Sequence, residues 1–69
     1  MRAVRIRLNG EPFELAGPLT VEQLLEQLNI EPRRVAVEHN LTIIKRERRA
    51  SVLVNEGDEV EIVNFVGGG

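Results

Sequence analysis

The chain has 69 residues and a mass of 7.8 kDa, the size of one small domain. It contains no cysteine and one histidine, which excludes disulfide bonds and a thiolate zinc site. Nine basic and 11 acidic residues give a net charge of −2, which predicts no general attraction to nucleic acid or membranes. No apolar run approaches the ~20 residues of a membrane helix, and arginines interrupt the N-terminus, so we expect a cytoplasmic protein.

The N-terminal residues predict a β-hairpin. Val4–Leu8 alternates apolar and basic residues with the period of a half-buried strand. Asn9 and Gly10 follow, a pair favoured in type I′ turns because both central residues there have positive φ. Phe13 and Leu15 then alternate with a glutamate on the return strand. Arginines of the first strand and glutamates near the second are expected to pair across the solvent face.

The next segment predicts one short helix. Thr20 and Gln23 fit a capping box, in which each side chain covers a backbone amide at the start of the helix. Four apolar residues then recur at helical spacing and form one stripe. These are Val21, Leu24, Leu25 and Leu28. Asn29 and Pro32 are expected to end the helix after about ten residues, a length that needs a sheet to pack against.

The second half of the chain predicts mainly strands. Residues 34–38 are apolar and β-branched enough for an interior strand, and residues 41–44 predict a short strand beyond a turn. Residues 45–49 are a run of charges. Residues 51–54 are compatible with a strand or a turn of 3₁₀ helix, and residues 59–66 predict a long final strand.

This order of elements predicts an α+β fold. It is a mixed sheet of four to five strands with one helix packed across one face, and the first and last strands lie parallel at its centre. We expect a single domain over residues 1–66, followed by a flexible glycine arm over residues 67–69. The predicted core comprises Val4, Ile6, Leu8, Phe13, Leu15, Val21, Leu24, Leu25, Leu28, Val35, Val37, Leu53, Val60 and Ile62.

The side chains do not predict an enzyme. Nucleophilic catalysis needs an activated Ser, Cys, Thr or Lys beside a base, whereas the one histidine, His39, stands at a predicted turn where we expect it to be exposed. Glu59 and Glu61 share the polar face of the last strand, where they aid solubility or pair with a basic partner. Residues 45–49, including Lys45 and Arg46, predict a solvated face or a docking site for an acidic protein.

The C-terminal end is the most informative feature of the sequence. The last strand runs into Phe65 and Val66, and Gly67, Gly68 and Gly69 follow. Three extended residues reach at most about 10 Å, and glycine, which lacks Cβ, passes through a channel too narrow for other residues. Such an arm suits a protein whose terminal carboxylate enters the active site of another enzyme. The same glycines are also compatible with a frayed end.

The chain resembles the ThiS family, the sulfur carrier proteins of thiamine biosynthesis. The similarity is carried by residues 57–69, which read Gly-Asp-Glu-Val-Glu-Ile-Val-Asn-Phe-Val-Gly-Gly-Gly. The Asn9-Gly10 hairpin, the start of the helix at Thr20 and residues 35–38 match in order and spacing. The family often has a Pro-Arg pair after the second turn and an aromatic residue several positions later. Here Lys45-Arg46 stands in the first place, and there is no tryptophan.

The resemblance implies a ubiquitin-like β-grasp fold and a role as a protein co-substrate without a bound cofactor. A ubiquitin-activating-like adenylating enzyme would consume ATP to activate the Gly69 carboxylate. A persulfide supplied by a cysteine desulfurase or another donor would convert it to a thiocarboxylate, and thiazole synthase would use that sulfur. Gly67 and Gly68 would form the arm, and Phe65, Val66, Lys45 and Arg46 would contact partners.

Two other functions remain open from the sequence. Sulfur carriers for tRNA thiolation or molybdopterin synthesis and ubiquitin-like protein modifiers also end in glycines. A non-catalytic ubiquitin-like interaction domain, whose glycines are only a tail, is the second alternative.

Overall fold

A computed structural model describes residues 2–65. Its helical segments are one α-helix and two 3₁₀ turns, at Pro32–Arg34 and Arg46–Arg48. The strands and the helix, in chain order, are β1 (Val4–Leu8), β2 (Glu11–Leu15), β3 (Leu19–Thr20), α1 (Val21–Gln27), β4 (Val35–His39), β5 (Thr42–Ile43), β6 (Leu53–Val54) and β7 (Glu59–Asn64).

The main sheet has five strands in the order β2-β1-β7-β4-β5. β1 and β7 lie parallel at the centre, with Leu8 opposite Val60, and the other neighbours are antiparallel. The predicted mixed sheet with parallel first and last strands is therefore confirmed. β3 was not predicted, because two residues carry no periodicity; it pairs with β6 in a separate two-stranded sheet.

The N-terminal hairpin forms at the predicted residues. Asn9 and Gly10 have φ angles of 51° and 82°, as a type I′ turn requires. Of the expected cross-strand ion pairs, Arg5 lies 4.0 Å from Glu14. Arg7 instead donates from Nη2 to the carbonyl of Gly10 at 2.7 Å. The register places Pro12, which has no carboxylate, directly opposite Arg7.

The helix begins as predicted and ends earlier. Thr20 Oγ1 accepts from the Gln23 amide and Gln23 Oε1 accepts from the Thr20 amide, which completes the capping box. α1 has seven residues instead of about ten. Asn29 adopts a φ of 62°, and the Ile30 amide donates to the Leu25 carbonyl. This Schellman arrangement covers the last carbonyls and turns the chain away before Pro32.

The core lies between α1 and one face of the main sheet. Its buried members are Val4, Ile6, Leu15, Val21, Leu24, Leu25, Val35, Val37, Val54 and Val60. Leu8, Phe13, Leu28 and Ile62 are partly buried against it. The prediction of Leu53 as a core residue is wrong: Leu53 is 46% exposed and Val54 is fully buried. A two-residue strand has no alternation from which the inward position could be read.

The last strand ends two residues before the prediction, at Asn64. Val66 and the arm at 67–69 lie outside the described residues, so the predicted boundary between domain and arm stays a prediction. No helix within residues 2–65 is long and apolar enough to cross a lipid bilayer.

Candidate functional site at the end of the last strand

The chain leaves the sheet at Phe65, on the end of a central strand. The Phe65 amide donates to the carbonyl of Arg34 at 2.8 Å, one residue beyond the pairing of Asn64 with Val35. The Phe65 side chain is nevertheless 55% exposed. The backbone of Phe65, which we call the root of the arm, is thus held by the fold while its aromatic ring stays available for contact.

The sheet face opposite α1, here called the outer face, carries exposed apolar side chains along β7 and on the neighbouring edge strand. Alternation along β7 puts Val63 on the outer face, where it is 56% exposed and lies opposite Ala36 of β4. Ile43 on the edge strand is 68% exposed, and Leu41 in the turn before it is 85% exposed. We call Leu41, Ile43, Val63 and Phe65 the outer apolar patch. It extends along the outer face from Phe65 at the end of β7 to Leu41 in the β4–β5 turn, beside the start of β7. Exposed apolar side chains on one face are typical of a protein–protein contact.

Leu41 is unfavourable for the isolated fold in two respects. Its φ is 71°, in the left-handed region, where a side chain with a Cβ costs roughly 1–2 kcal/mol. It also exposes a large apolar side chain at the tip of the β4–β5 turn. Strain retained at an exposed position points to a role in binding. The sequence predicted only a turn beginning at His39 and Asn40, so this signal was missed.

Three carboxylates lie on the outer face beside the patch. Glu38 is directly opposite Glu61 across the β4–β7 pair, and Glu59 is two residues before Glu61. Together with Leu41 and Gly10 they line a shallow recess. Like charges directly opposite each other destabilise a sheet, so this arrangement favours a basic partner surface, one of the two expected roles of Glu59 and Glu61. Residues 2–65 contain no group of three or more carboxylate and histidine side chains that could hold a metal ion.

Of the predicted basic contact residues, Arg46 lies on the helix side instead. Arg46 lines a groove with Glu22 of α1 and with Pro32 and Arg33 of the first 3₁₀ turn. Because that turn supplies the carbonyl that binds Phe65, Arg46 lies at the same end of the molecule as the root. Lys45 precedes the second 3₁₀ turn, and its carbonyl accepts from the Arg48 amide. The structure therefore brings Arg46 near the root but does not place it on the outer apolar patch.

One member of the charge run is part of the interior. Arg49 is only 5% exposed, so the expectation of a wholly solvated run is wrong at this residue. Its Nη1 donates to the Pro32 carbonyl and its Nη2 to the Val35 carbonyl, each at 2.8 Å. Burial, and then the charge of nearby Arg46, lower the pKa of Arg49 from its usual value. Within a run of charged residues, nothing in the sequence distinguishes the one whose side chain is buried.

The expectation that His39 is an exposed turn residue is also wrong. Its side chain is 16% exposed, and Nε2 donates to Asp58 Oδ2 at 2.7 Å, since a carboxylate only accepts. Burial raises the pKa of Asp58, but hydrogen bonds from the Asn55 amide, His39 and Asn40, together with the charge of His39, outweigh it and lower that pKa overall. These contacts join the β4–β5 and β6–β7 turns, at the opposite end of β7 from Phe65.

Comparison with known proteins agrees with this architecture. The model of the ThiS family matches residues 6–69. The sulfur carrier protein ThiS of Bacillus subtilis is 44% identical over 65 residues, covering 93% of this chain and 98% of that protein. The crystal structure of the thiamine biosynthesis protein ThiS from Geobacter metallireducens superposes with a TM-score of 0.85 at 35% identity, covering 96% and 100% of the two chains. This likeness confirms the predicted β-grasp fold.

The chain is also similar to part of a larger protein. A thiazole synthase from Paramagnetospirillum magneticum is 46% identical over 66 residues, which cover 96% of this chain and 20% of that protein. The chain therefore spans about one fifth of the length of that relative.

Proposed function

The chain belongs to the ThiS family, and on that premise we propose that it is a sulfur carrier of thiamine biosynthesis whose reactive group is the carboxylate of Gly69. In this role it is a co-substrate and not an enzyme. The observation that carries the proposal is that the family match extends through Gly69, beyond Phe65, whose backbone amide is bonded to the sheet and whose side chain is exposed.

In the proposed chemistry the reacting group is the carboxylate of Gly69, and the folded domain is the part that partner enzymes bind. A carboxylate is a poor electrophile, so an adenylating enzyme would first attach AMP from ATP to a Gly69 oxygen and release pyrophosphate. The terminal sulfur of a partner's persulfide would then attack the carbonyl carbon and displace AMP. A second thiol on a partner would cleave the resulting S–S bond, leaving the thiocarboxylate on Gly69 and a disulfide on the partner. Because this chain has no cysteine, no thiol of its own competes for the activated carbonyl.

The outer apolar patch and the three neighbouring glutamates support docking to the adenylating enzyme. A partner that covers Phe65 and Val63 would bury the apolar side chains beside the root of the arm. Glu38, Glu59 and Glu61 would face basic residues of that partner and relieve their mutual repulsion. Val66 and Lys45 are further candidate contacts, and Arg46 would extend the contact to the helix side.

A thiazole synthase is the proposed acceptor of the sulfur. In the relative from Paramagnetospirillum magneticum, a segment 46% identical to this chain forms part of a protein named thiazole synthase. Joining a carrier and its acceptor in one chain raises their effective concentration. We propose that the present chain supplies sulfur to the same reaction.

The test is to incubate the chain with an adenylating enzyme, ATP and a persulfide donor, and to measure its intact mass. The expected product is heavier by the difference between one sulfur and one oxygen atom, and fragmentation should place the change on Gly69. A variant lacking Gly69 is the matched control and should stay unmodified. An unchanged mass in the full chain would contradict the proposal, and conjugates with lysines of other proteins would favour a protein modifier.

A further inference from the structure

Arg49 joins three parts of the fold around the segment that holds Phe65. Its guanidinium forks between the carbonyls of Pro32 and Val35, so it spans the first 3₁₀ turn and the start of β4. Between those two carbonyls lies the carbonyl of Arg34, which accepts from the Phe65 amide at 2.8 Å. Arg49 therefore hydrogen-bonds to both ends of segment 32–35, and a carbonyl within that segment binds the Phe65 amide.

The backbone of Arg49 is itself fixed on the helix side. Its carbonyl accepts from the Glu22 amide at 3.1 Å, in the first turn of α1, and its amide donates to the Arg46 carbonyl at 3.2 Å. The side chain thus projects from a point anchored to the helix toward the strand. Its two hydrogen bonds connect α1 to the end of β7 through residues 32–35.

This arginine is retained at a cost to the fold. Its Nε is buried and, among the described residues, has no hydrogen-bond partner. A buried charge loses hydration, and an apolar residue of similar volume at such a site is often neutral or stabilising. An unpartnered buried polar atom calls for an explanation beyond packing. The one property that an apolar side chain cannot supply here is the planar fork to two carbonyls.

We propose that Arg49 is a positioning residue that sets where the arm leaves the fold, and so where the Gly69 carboxylate is presented; this rests on the function proposed above. Arg49 acts through residues 32–35 and Phe65 and contacts neither the carboxylate nor a substrate. Only four residues follow Phe65, so their extended reach is at most about 14 Å. A displaced root therefore displaces the carboxylate within the partner's active site, where a 1 Å misplacement can cost about 100-fold in rate.

The first experiment measures hydrogen exchange of the Phe65 amide and needs no partner protein. In Arg49→Met, which removes both donors at similar volume, the Phe65 amide should exchange with solvent about ten-fold faster than in the wild type, as expected when its local opening becomes easier. The Asn40 amide, which donates to the Glu59 carbonyl at the other end of β7, is the internal control and should change little. In Arg49→Lys, which restores a charged donor group without the planar fork, the Phe65 exchange rate should lie between the two.

The second experiment measures adenylation of the same variants as ATP-dependent pyrophosphate release. Arg49→Met should lower kcat by about ten-fold or more while KM stays nearly constant, because a misplaced carboxylate affects the reaction more than docking. Arg49→Lys should recover part of kcat. Val54→Ala, which removes buried apolar volume from the core in β6, is the control for destabilisation. It is assayed at a temperature at which both variants are shown by thermal denaturation to be folded, and it should keep the wild-type kcat.

The outcomes separate this inference from the proposed function. If Arg49→Met keeps the wild-type exchange at Phe65, or if Val54→Ala loses kcat equally, Arg49 is structural only and the inference is overturned. If the wild-type chain is not adenylated, the proposed function fails together with the inference that depends on it. If the wild type is adenylated and Arg49→Met retains full kcat, the inference alone fails.

Discussion

The two ends of β7 are held in different ways. At its start, Asp58 accepts from His39, Asn40 and the Asn55 amide, and the Glu59 amide donates to Asn40 Oδ1. At its end, the Phe65 amide donates to one carbonyl while its side chain remains exposed. Side-chain hydrogen bonds thus secure the start of β7, beside the turn that carries Leu41. The end proposed to deliver the carboxylate is held through the backbone, which leaves its side chains free for partners.

The largest effect is expected in the arm itself. Gly68→Val should reduce thiocarboxylate formation at least about 100-fold, because a branched Cβ does not fit a channel shaped for bare backbone. The free energy of unfolding should change by less than about 0.5 kcal/mol, as for surface positions in general. Intact mass and thermal denaturation measure the two quantities.

Glu26→Val is the matched control for Gly68→Val, since it introduces the same side chain at an exposed position of α1. It should keep full thiocarboxylate formation. If Gly68→Val lost folding stability together with thiocarboxylate formation, the glycine would be structural. The contrast between the two ends of β7 would then not hold.

The next effect is expected at the start of β7 and should appear in stability alone. Asp58→Asn should lower the free energy of unfolding by about 1–3 kcal/mol near neutral pH, because hydrogen bonds to a charged group are lost. The pKa of Asp58 is lowered in the folded protein, so its stabilisation is present above the unfolded value of 3.8 and is lost as pH falls through the folded pKa. Denaturation at a series of pH values should show a shallower acid-side loss in Asp58→Asn.

Adenylation of Asp58→Asn, assayed well below its melting temperature, should match the wild type. A fall in kcat without unfolding would show that the two ends of β7 are coupled and would contradict their separation.

The third effect concerns partner contact at the root. Phe65→Ala should weaken binding to the adenylating enzyme by about 1–2 kcal/mol, or roughly ten-fold in KM, as expected for an aromatic residue in an interface. Leu53→Ala is the matched control, since Leu53 is also an exposed apolar residue but lies in β6, outside the outer apolar patch. Equal KM values for the two variants would argue against docking at the patch.

The smallest effect should have opposite signs in stability and binding. Leu41→Gly should raise the free energy of unfolding by up to about 1 kcal/mol, because glycine adopts the positive φ of this turn without strain. The same variant should raise KM about two- to five-fold through the loss of an exposed apolar contact. Thermal denaturation and steady-state adenylation would be measured on one preparation. If the variant were more stable and its KM unchanged, Leu41 would not contact the adenylating enzyme and would not belong to the docking patch.

Local features of the sequence predicted those parts of the fold that depend on neighbouring residues. Asn9 and Gly10 specify the hairpin turn, and Thr20 with Gln23 specifies the start of α1, because each involves contacts within about four residues. Asn29 was expected at the end of α1, but the helix is shorter than predicted and stops at Gln27. The left-handed conformation of Asn29 closes it through hydrogen bonds from the Asn29 and Ile30 amides to carbonyls of its last turn.

Features that depend on strand pairing could not be read in this way. The opposition of Glu38 and Glu61 follows from the register of β4 on β7, and the burial of His39 follows from the meeting of two distant turns. Arg49 looks like its charged neighbours in sequence and is buried only because two carbonyls of residues 32–35 lie within its reach.

The sequence by itself therefore determined the type and order of the elements, most of the core, and the glycine end with its family resemblance. These follow from periodicity, capping and turn chemistry, which act over a few residues. The tertiary structure decided which polar side chains are buried, which face carries the outer apolar patch, and what holds the root of the arm. Those properties arise from contacts between residues far apart in the chain, which no local pattern encodes.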